Sequence, residues 1–146
     1  MSELLPTYRG AVYPWHCDHM GHMNVMWYVG KFDEATWNLF AHLGITPAYM
    51  RETGSATAAV DQRLQYRKEL LAGDTLSVGS GLLEVRDKAV VFFHEMRNNE
   101  SGEVSATCRL VGVHLDTGTR RAKPWPTGFR ERAGALIRPY DFGDRS

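Results

Sequence analysis

The chain has 146 residues, 43 % hydrophobic and 23 % charged, the proportions of an ordinary globular protein. Its 17 basic and 17 acidic side chains cancel, which excludes the basic footprint of a nucleic-acid-binding protein. No apolar run approaches the roughly 18 residues of a membrane span, and MSELLPTYRG carries no apolar leader; the cysteines Cys17 and Cys108 therefore read as free thiols of a reduced, cytoplasmic protein.

In chain order, residues 8–14 (YRGAVYP) read as a short strand closed by Pro14, which cannot donate to a central ladder. From Asn24 the period changes: Val25, Tyr28, Val29, Phe32, Ala35, Thr36, Leu39 and Leu43 recur at helical spacing. Asn24 is a preferred N-cap and Gly44 a preferred C-cap, which delimits a helix of about 20 residues, about 30 Å long. Residues 45–55 hold Pro47 and Gly54 and read as a loop with one helical turn. Residues 56–115 then read as an antiparallel meander of about four strands joined by the turns AGD, RDK and NNESGE, the last strand ended by DTGT.

In the first of these strands Ala58, Val60, Leu64 and Tyr66 share a face opposite Asp61, Arg63, Gln65 and Arg67. In the next, the apolar phase moves from Leu76 and Val78 to Leu83 and Val85 across Gly79 and Gly81, which predicts a bulge. KPWP reads as extended, GFRERAGAL as a short helix and RPYDFGDRS as a loose tail. One helix beside one antiparallel sheet predicts an α+β domain. Val91, Phe93 and Val111 are expected to leave apolar surface that favours a dimer.

The stretch WHCDHMGHMN (residues 15–24) concentrates ligand-type and catalytic-type side chains. A structural zinc site wants four ligands, commonly as two spaced pairs. Here His16, Cys17 and Asp18 are adjacent, no second cluster completes a set, and no H-E-x-x-H helix occurs, so no metal is expected. His16 and His19 read as exposed loop residues, and the two cysteines as small buried hydrophobes. Asp18 lies six residues before the helix N-cap among aromatics and methionines, surroundings that raise a carboxyl pKa. The first helical amides lack intrahelical partners and carry the positive end of the helix dipole. A carboxylate beside such donors suits attack on a carbonyl whose oxygen gathers charge.

The order D18-H-M-G21-H22-M-N24-x-x-x-Y28 before a long helix resembles the active-site segment of hotdog-fold thioesterases, the 4-hydroxybenzoyl-CoA thioesterase-like enzymes and their acyl-carrier relatives. The phrases YRKELLAGD and KPWP stand where that family has its second-strand and post-sheet signatures. The resemblance implies one hotdog domain over 1–146, with a core at 8–130 and a tail at 131–146, a long central helix wrapped by a curved antiparallel sheet of about five strands. It implies hydrolysis of an acyl-CoA or acyl-carrier thioester without cofactor or metal. Asp18 would be nucleophile or general base, the Val25 backbone N–H the oxyanion donor, and His22 and Asn24 orienting groups. Candidate substrate-binding residues are Trp15, Gly21, Trp27, Tyr28, Asp61, Arg63, Arg67 and Lys68, with Asp61 also a candidate second acid. The resemblance further implies a homodimer, or a tetramer built as a dimer of dimers, with no nucleic-acid or membrane partner. Two other readings stay open: an enoyl-thioester hydratase or dehydratase using His22 with Asp61, and a non-catalytic acyl-CoA-binding module. Trp15, Trp27 and Trp37 suggest an apolar acyl pocket or, by cation–π attraction, one for a trimethylammonium-bearing acyl group.

Overall fold

The computed structural model describes residues 3–143; the last three residues of the expected tail lie outside the described residues. The elements are β1 (Leu5–Ala11), α1 (Val25–His42), α2 (Pro47–Thr53), β2 (Ser55–Tyr66), β3 (Thr75–Val85), β4 (Ala89–Asn98), β5 (Val104–Asp116) and α3 (Phe129–Gly134). The five strands form one sheet in the order β1-β3-β4-β5-β2. This is the expected α+β architecture, with one correction. The strand after the helix does not begin a meander: β2 pairs with β5 at the edge and is not a neighbour of β3. Only β3, β4 and β5 follow one another through tight turns, because the long segment 67–74 frees β2 from its sequence neighbour.

The long helix starts where its cap predicts. The Asn24 side-chain carbonyl accepts the Met26 N–H at 3.0 Å, and Gly44 closes the other end at φ 88°. The buried stripe is narrower than the periodicity suggests. Tyr28, Phe32, Ala35 and Leu39 are buried, whereas Val25 and Val29 are 55 % and 39 % exposed. The segment expected as a loop with one turn is the helix α2, capped by Thr46, whose hydroxyl accepts the Tyr49 N–H at 3.1 Å.

The strand expected at 8–14 starts earlier and ends at Ala11, and Pro14 opens a 3-10 turn. Pro6 is tolerated because β1 is a sheet edge. The register of this pair shifts between Pro6 and Tyr8, where β1 carries the extra residue, opposite Gly79 and Val78 of β3. Leu76, Val78, Ser80 and Leu82 keep one buried phase along β3. Gly79 and Gly81 instead admit close neighbours: a Cβ would meet Leu4 Cβ at 2.9 Å and Phe93 Cζ at 2.8 Å.

The chain packs as two compact units. The first holds residues up to Leu39 with Leu64–Ser80 and His94–Cys108. Its core contains a polar chain: His94 on β4, 0 % exposed, bonds Thr36 at 2.8 Å and Ser80 at 2.6 Å, and Ser80 meets Thr7 at 2.8 Å. Burial pushes the His94 pKa down to about 3, so the ring is neutral. The second unit holds Phe40–Arg63, Gly81–Phe93 and the chain from Arg109. There Trp125, on the extended segment foreseen as KPWP, stacks on Phe129 of α3 at 4.1 Å and on His114 at 4.8 Å. Val91 and Phe93 are not open apolar surface: both are buried, and Tyr140 and Phe142 of the tail lie 4.5 and 6.0 Å from Phe93. The tail as described is therefore pinned by aromatic packing. Among the described residues no helix is long and apolar enough to cross a membrane.

Candidate active site

The segment before α1 is held in place largely by its own backbone. The Tyr13 N–H donates to His16 Nδ1 at 3.0 Å, and the Asn24 N–H returns to the His16 carbonyl at 2.9 Å. Within that span Gly21, at φ 90°, makes the turn that lets its N–H reach the Asp18 carbonyl at 3.0 Å. Asp18 thus comes back beside Asn24. His16 is not exposed as expected: it is buried with its ring 4.3 Å from Trp27. His19 is exposed, Cys17 is half-buried and Cys108 is buried, which pushes the Cys108 thiol up to about 12.

The Asp18 carboxylate accepts two hydrogen bonds, from Asn24 Nδ2 at 2.8 Å and from the Met20 N–H at 2.9 Å. Its pKa is lowered, first by the Asn24 bond and then by the Met20 bond. This corrects the expected raised value: donors aimed at the ionised form outweigh the nearby apolar side chains, because the group itself stays solvated. Asn24 bridges the carboxylate to the helix, since its other side-chain atom accepts the Met26 N–H. The Trp27 N–H goes to the Asn24 carbonyl at 3.0 Å. The Val25 N–H then has no acceptor among the described residues.

The opposite wall arrives from the end of β2. The Met23 N–H donates to the Leu70 carbonyl at 2.7 Å, and Leu70 is wholly buried, which holds residues 66–69 against the loop. A cavity of about 430 Å³ results, with Asp18, His22, Val25 and Tyr28 on one side and Tyr66–Glu69 on the other. Tyr28 is buried and meets Tyr66 edge to face at 5.1 Å. Burial, reinforced by the Glu69 charge, raises the Tyr28 pKa to about 12, so the phenol keeps its proton. His22 Nε2 lies 3.6 Å from a Glu69 carboxylate oxygen.

Of the residues singled out in the sequence, Asp18, His22, Val25, Tyr28, Arg67 and Lys68 line this cavity, and Asn24 bonds to it through Asp18. Gly21 shapes the turn. Asp61 and Arg63 lie exposed on β2 and do not line it. Trp15 and Trp27 line a different cavity, beside β1. Tyr66 and Glu69, which the sequence does not mark as site residues, also line it; their proximity to Arg67 and Lys68 is the available signal. Among the described residues no group of three or more His, Cys, Asp or Glu side chains is arranged to hold a metal ion.

Comparison with known proteins bears on this arrangement. A family model described as the thioesterase-like superfamily matches residues 12–133. A betainyl-CoA thioesterase of Pseudomonas aeruginosa is 26 % identical over 140 residues, 96 % of this chain and 88 % of that protein. An L-carnitine dehydrogenase/betainyl-CoA thioesterase of Agrobacterium fabrum is 32 % identical over 124 residues, 85 % of this chain, but the chain spans only 24 % of that relative's length. Among solved structures, a hypothetical protein of Staphylococcus aureus in complex with CoA superposes with TM-score 0.86 at 16 % identity, covering 97 % of this chain and 91 % of that one. A 1,4-dihydroxy-2-naphthoyl-CoA thioesterase of Synechocystis gives TM-score 0.77 at 18 % identity, over 90 % and 97 % of the chains. These likenesses bear out the hotdog fold, and the enzyme class foreseen from the sequence, thioester hydrolase, is that of the named relatives.

Proposed function

Because the chain belongs to the thioesterase-like superfamily, we propose that it hydrolyses an acyl-CoA thioester in the Asp18 cavity, with Asp18 as the nucleophile. The observation that carries this reading is the pairing of an ionised carboxylate with an unclaimed helix N-terminal N–H, that of Val25, on one cavity, with Asn24 between them. A carboxylate with a lowered pKa is a weak proton acceptor. It remains charged and able to attack the thioester carbonyl. The carbonyl oxygen gathers charge opposite the Val25 N–H, the C–S bond breaks, and the thiolate leaves and takes a proton from water. Water then cleaves the aspartyl–acyl anhydride, releasing the acid and restoring the carboxylate. His22 and Asn24 orient Asp18 and the water, and Arg67 and Lys68 meet the anionic part of CoA.

The acyl group we propose is a small one bearing a trimethylammonium, as the names of the relatives suggest. The faces of Tyr28 and Tyr66 with the Glu69 carboxylate suit such a cation, each aromatic contact contributing roughly 0.5–2 kcal/mol. The functional unit is a homodimer. Val25, Met26 and Val29 on α1 and Tyr66 at the end of β2 are exposed apolar groups that a second copy would cover.

The test is free-thiol release from betainyl-CoA and from 3,3-dimethylbutanoyl-CoA, its uncharged isostere, by the wild type and by Asp18→Asn. Wild-type turnover favouring betainyl-CoA by about tenfold or more in kcat/KM is expected. Equal rates would overturn the cationic acyl group. Undiminished turnover by Asp18→Asn, or hydration of an enoyl-CoA without thiol release, would overturn the mechanism. Single turnover in ¹⁸O-water distinguishes the two roles of Asp18: label entering the Asp18 carboxylate marks it as nucleophile. A monomer in light scattering under active conditions would overturn the dimer.

A further inference from the structure

A second cavity, of about 590 Å³, lies between β1 and α1 and shares no lining residue with the Asp18 cavity. Lys31 of α1 lines it and is only 4 % exposed. Its ammonium meets neutral acceptors alone, the Tyr8 hydroxyl at 3.3 Å and the Ala11 carbonyl at 3.4 Å, and sits 5.4 Å from the Tyr8 ring centroid. Both bonds are long for a charged donor. Lys31 forms no ion pair among the described residues, although buried lysines are almost always paired. Its charge reaches His16 in the same wall, whose pKa is lowered by burial first and by Lys31 second.

The rest of the wall has another character. Tyr13 and Trp15 stack with ring centroids 4.7 Å apart and planes 5° from parallel, although they are 51 % and 68 % exposed. Glu34, one helical turn beyond Lys31, and the exposed Arg9 of β1 line the same cavity, so one carboxylate and two cationic side chains face it. A simple anion would satisfy Lys31 but face Glu34 and leave the aromatic rim unused. A simple cation would satisfy the rim and Glu34 but face a buried ammonium, and like charges in such surroundings repel strongly. A molecule carrying both charges matches both ends. We propose that this cavity binds a small zwitterion, its carboxylate on Lys31 and its alkylated ammonium against Trp15 and Tyr13 near Glu34. The proposal stands independently of the thioesterase reading.

L-Carnitine, a trimethylammonium carboxylate, is the probe. It is titrated by calorimetry and tryptophan fluorescence into the full chain and into Asp18→Asn, Lys31→Met and Trp15→Leu. Saturable binding of one molecule per chain is expected, undisturbed in Asp18→Asn and weakened about tenfold or more in the other two variants. Acetate and tetramethylammonium should each bind about tenfold more weakly than carnitine, or worse. Absence of saturable binding, equal affinity in Lys31→Met, or acetate matching carnitine would overturn the proposal. Loss of binding in Asp18→Asn would overturn it too, by putting the ligand in the first cavity. Should Lys31→Met fail to fold, Trp15→Leu, an exposed replacement, decides with the acetate and tetramethylammonium titrations. Thiol release is assayed separately: turnover without carnitine binding sinks this site alone, and binding without turnover sinks the thioesterase alone.

Discussion

Asp18 and Lys31 each present a charge to a cavity in the first unit, and the chain treats them in opposite ways. Asp18 stays partly exposed and takes two donors, the Asn24 amide and the Met20 N–H, that hold it ionised. Lys31 is buried, with two long neutral contacts and no counter-ion among the described residues. A group that must attack a substrate has to be charged, reachable and aimed, which solvated hydrogen bonding achieves at small cost. A buried charge without a partner carries a desolvation penalty that a ligand of opposite sign relieves. The contrast teaches that one loop-and-helix junction can leave one charge solvated and held by donors and another buried with poor contacts.

The most forceful way to break this contrast is Asp18→Asn. Turnover should fall by at least on the order of 10²-fold while carnitine binding stays unchanged, as read by thiol release and calorimetry on one preparation. Parallel losses in both assays would mean that the cavities are not separable. Next comes Lys31→Met, expected to reduce carnitine affinity about tenfold and to leave kcat/KM for betainyl-CoA within about twofold. A matching fall in kcat/KM would make Lys31 part of the thioesterase site.

Asn24→Ala should act on the first site through two physical routes. It removes a helix cap, worth about 1 kcal/mol in the unfolding free energy, and it removes the larger of the two bonds that lower the Asp18 pKa. On the proposed mechanism Asp18 works as a carboxylate, so activity is present above its lowered pKa and is lost as pH falls through it. The acid limb of kcat/KM in the wild type should therefore lie below the ordinary carboxylate range, and Asn24→Ala should move it upward. An acid limb that does not move would deny Asn24 its positioning role.

His94 supplies a control away from both cavities. Its folded pKa of about 3 lies below the ordinary 6.5, so its neutral ring stabilises the fold fully above that ordinary value. That contribution is lost as pH falls from 6.5 toward 3, because the unfolded chain binds the proton and the buried ring does not. Melting temperature should thus decline over this window, and less steeply in His94→Gln. An equal slope in the two proteins would assign the decline to other groups. The smallest change is expected from Glu69→Gln: its exposed contact with His22 contributes little to stability, so its effect should appear only as a reduced preference for the cationic acyl chain.

Local chemistry in the sequence accounts for the parts made by neighbours. Asn24 and Gly44 delimit α1 because cap preferences act over a few residues, and Asp18 can be picked out because its distance from that cap is short and countable. GFRERAGAL and KPWP were legible for the same reason. The opposite wall of the site was not: Tyr66 and Glu69 reach Asp18 through the Met23–Leu70 backbone bond, a pairing no local pattern specifies. The place of β2 beside β5, the covering of Phe93 by Tyr140, and the burial of His16 and Lys31 are likewise long-range outcomes. The direction of the Asp18 pKa is set within the loop itself, by donors two and six residues away, but apolar neighbours in sequence say nothing about which donors turn toward a carboxylate in space. The sequence by itself determined the helix, its cap and the acid before it, because those rest on spacing along one backbone; only the tertiary structure decided which charges are solvated, which are buried and what faces them, because solvation is a property of the packed chain.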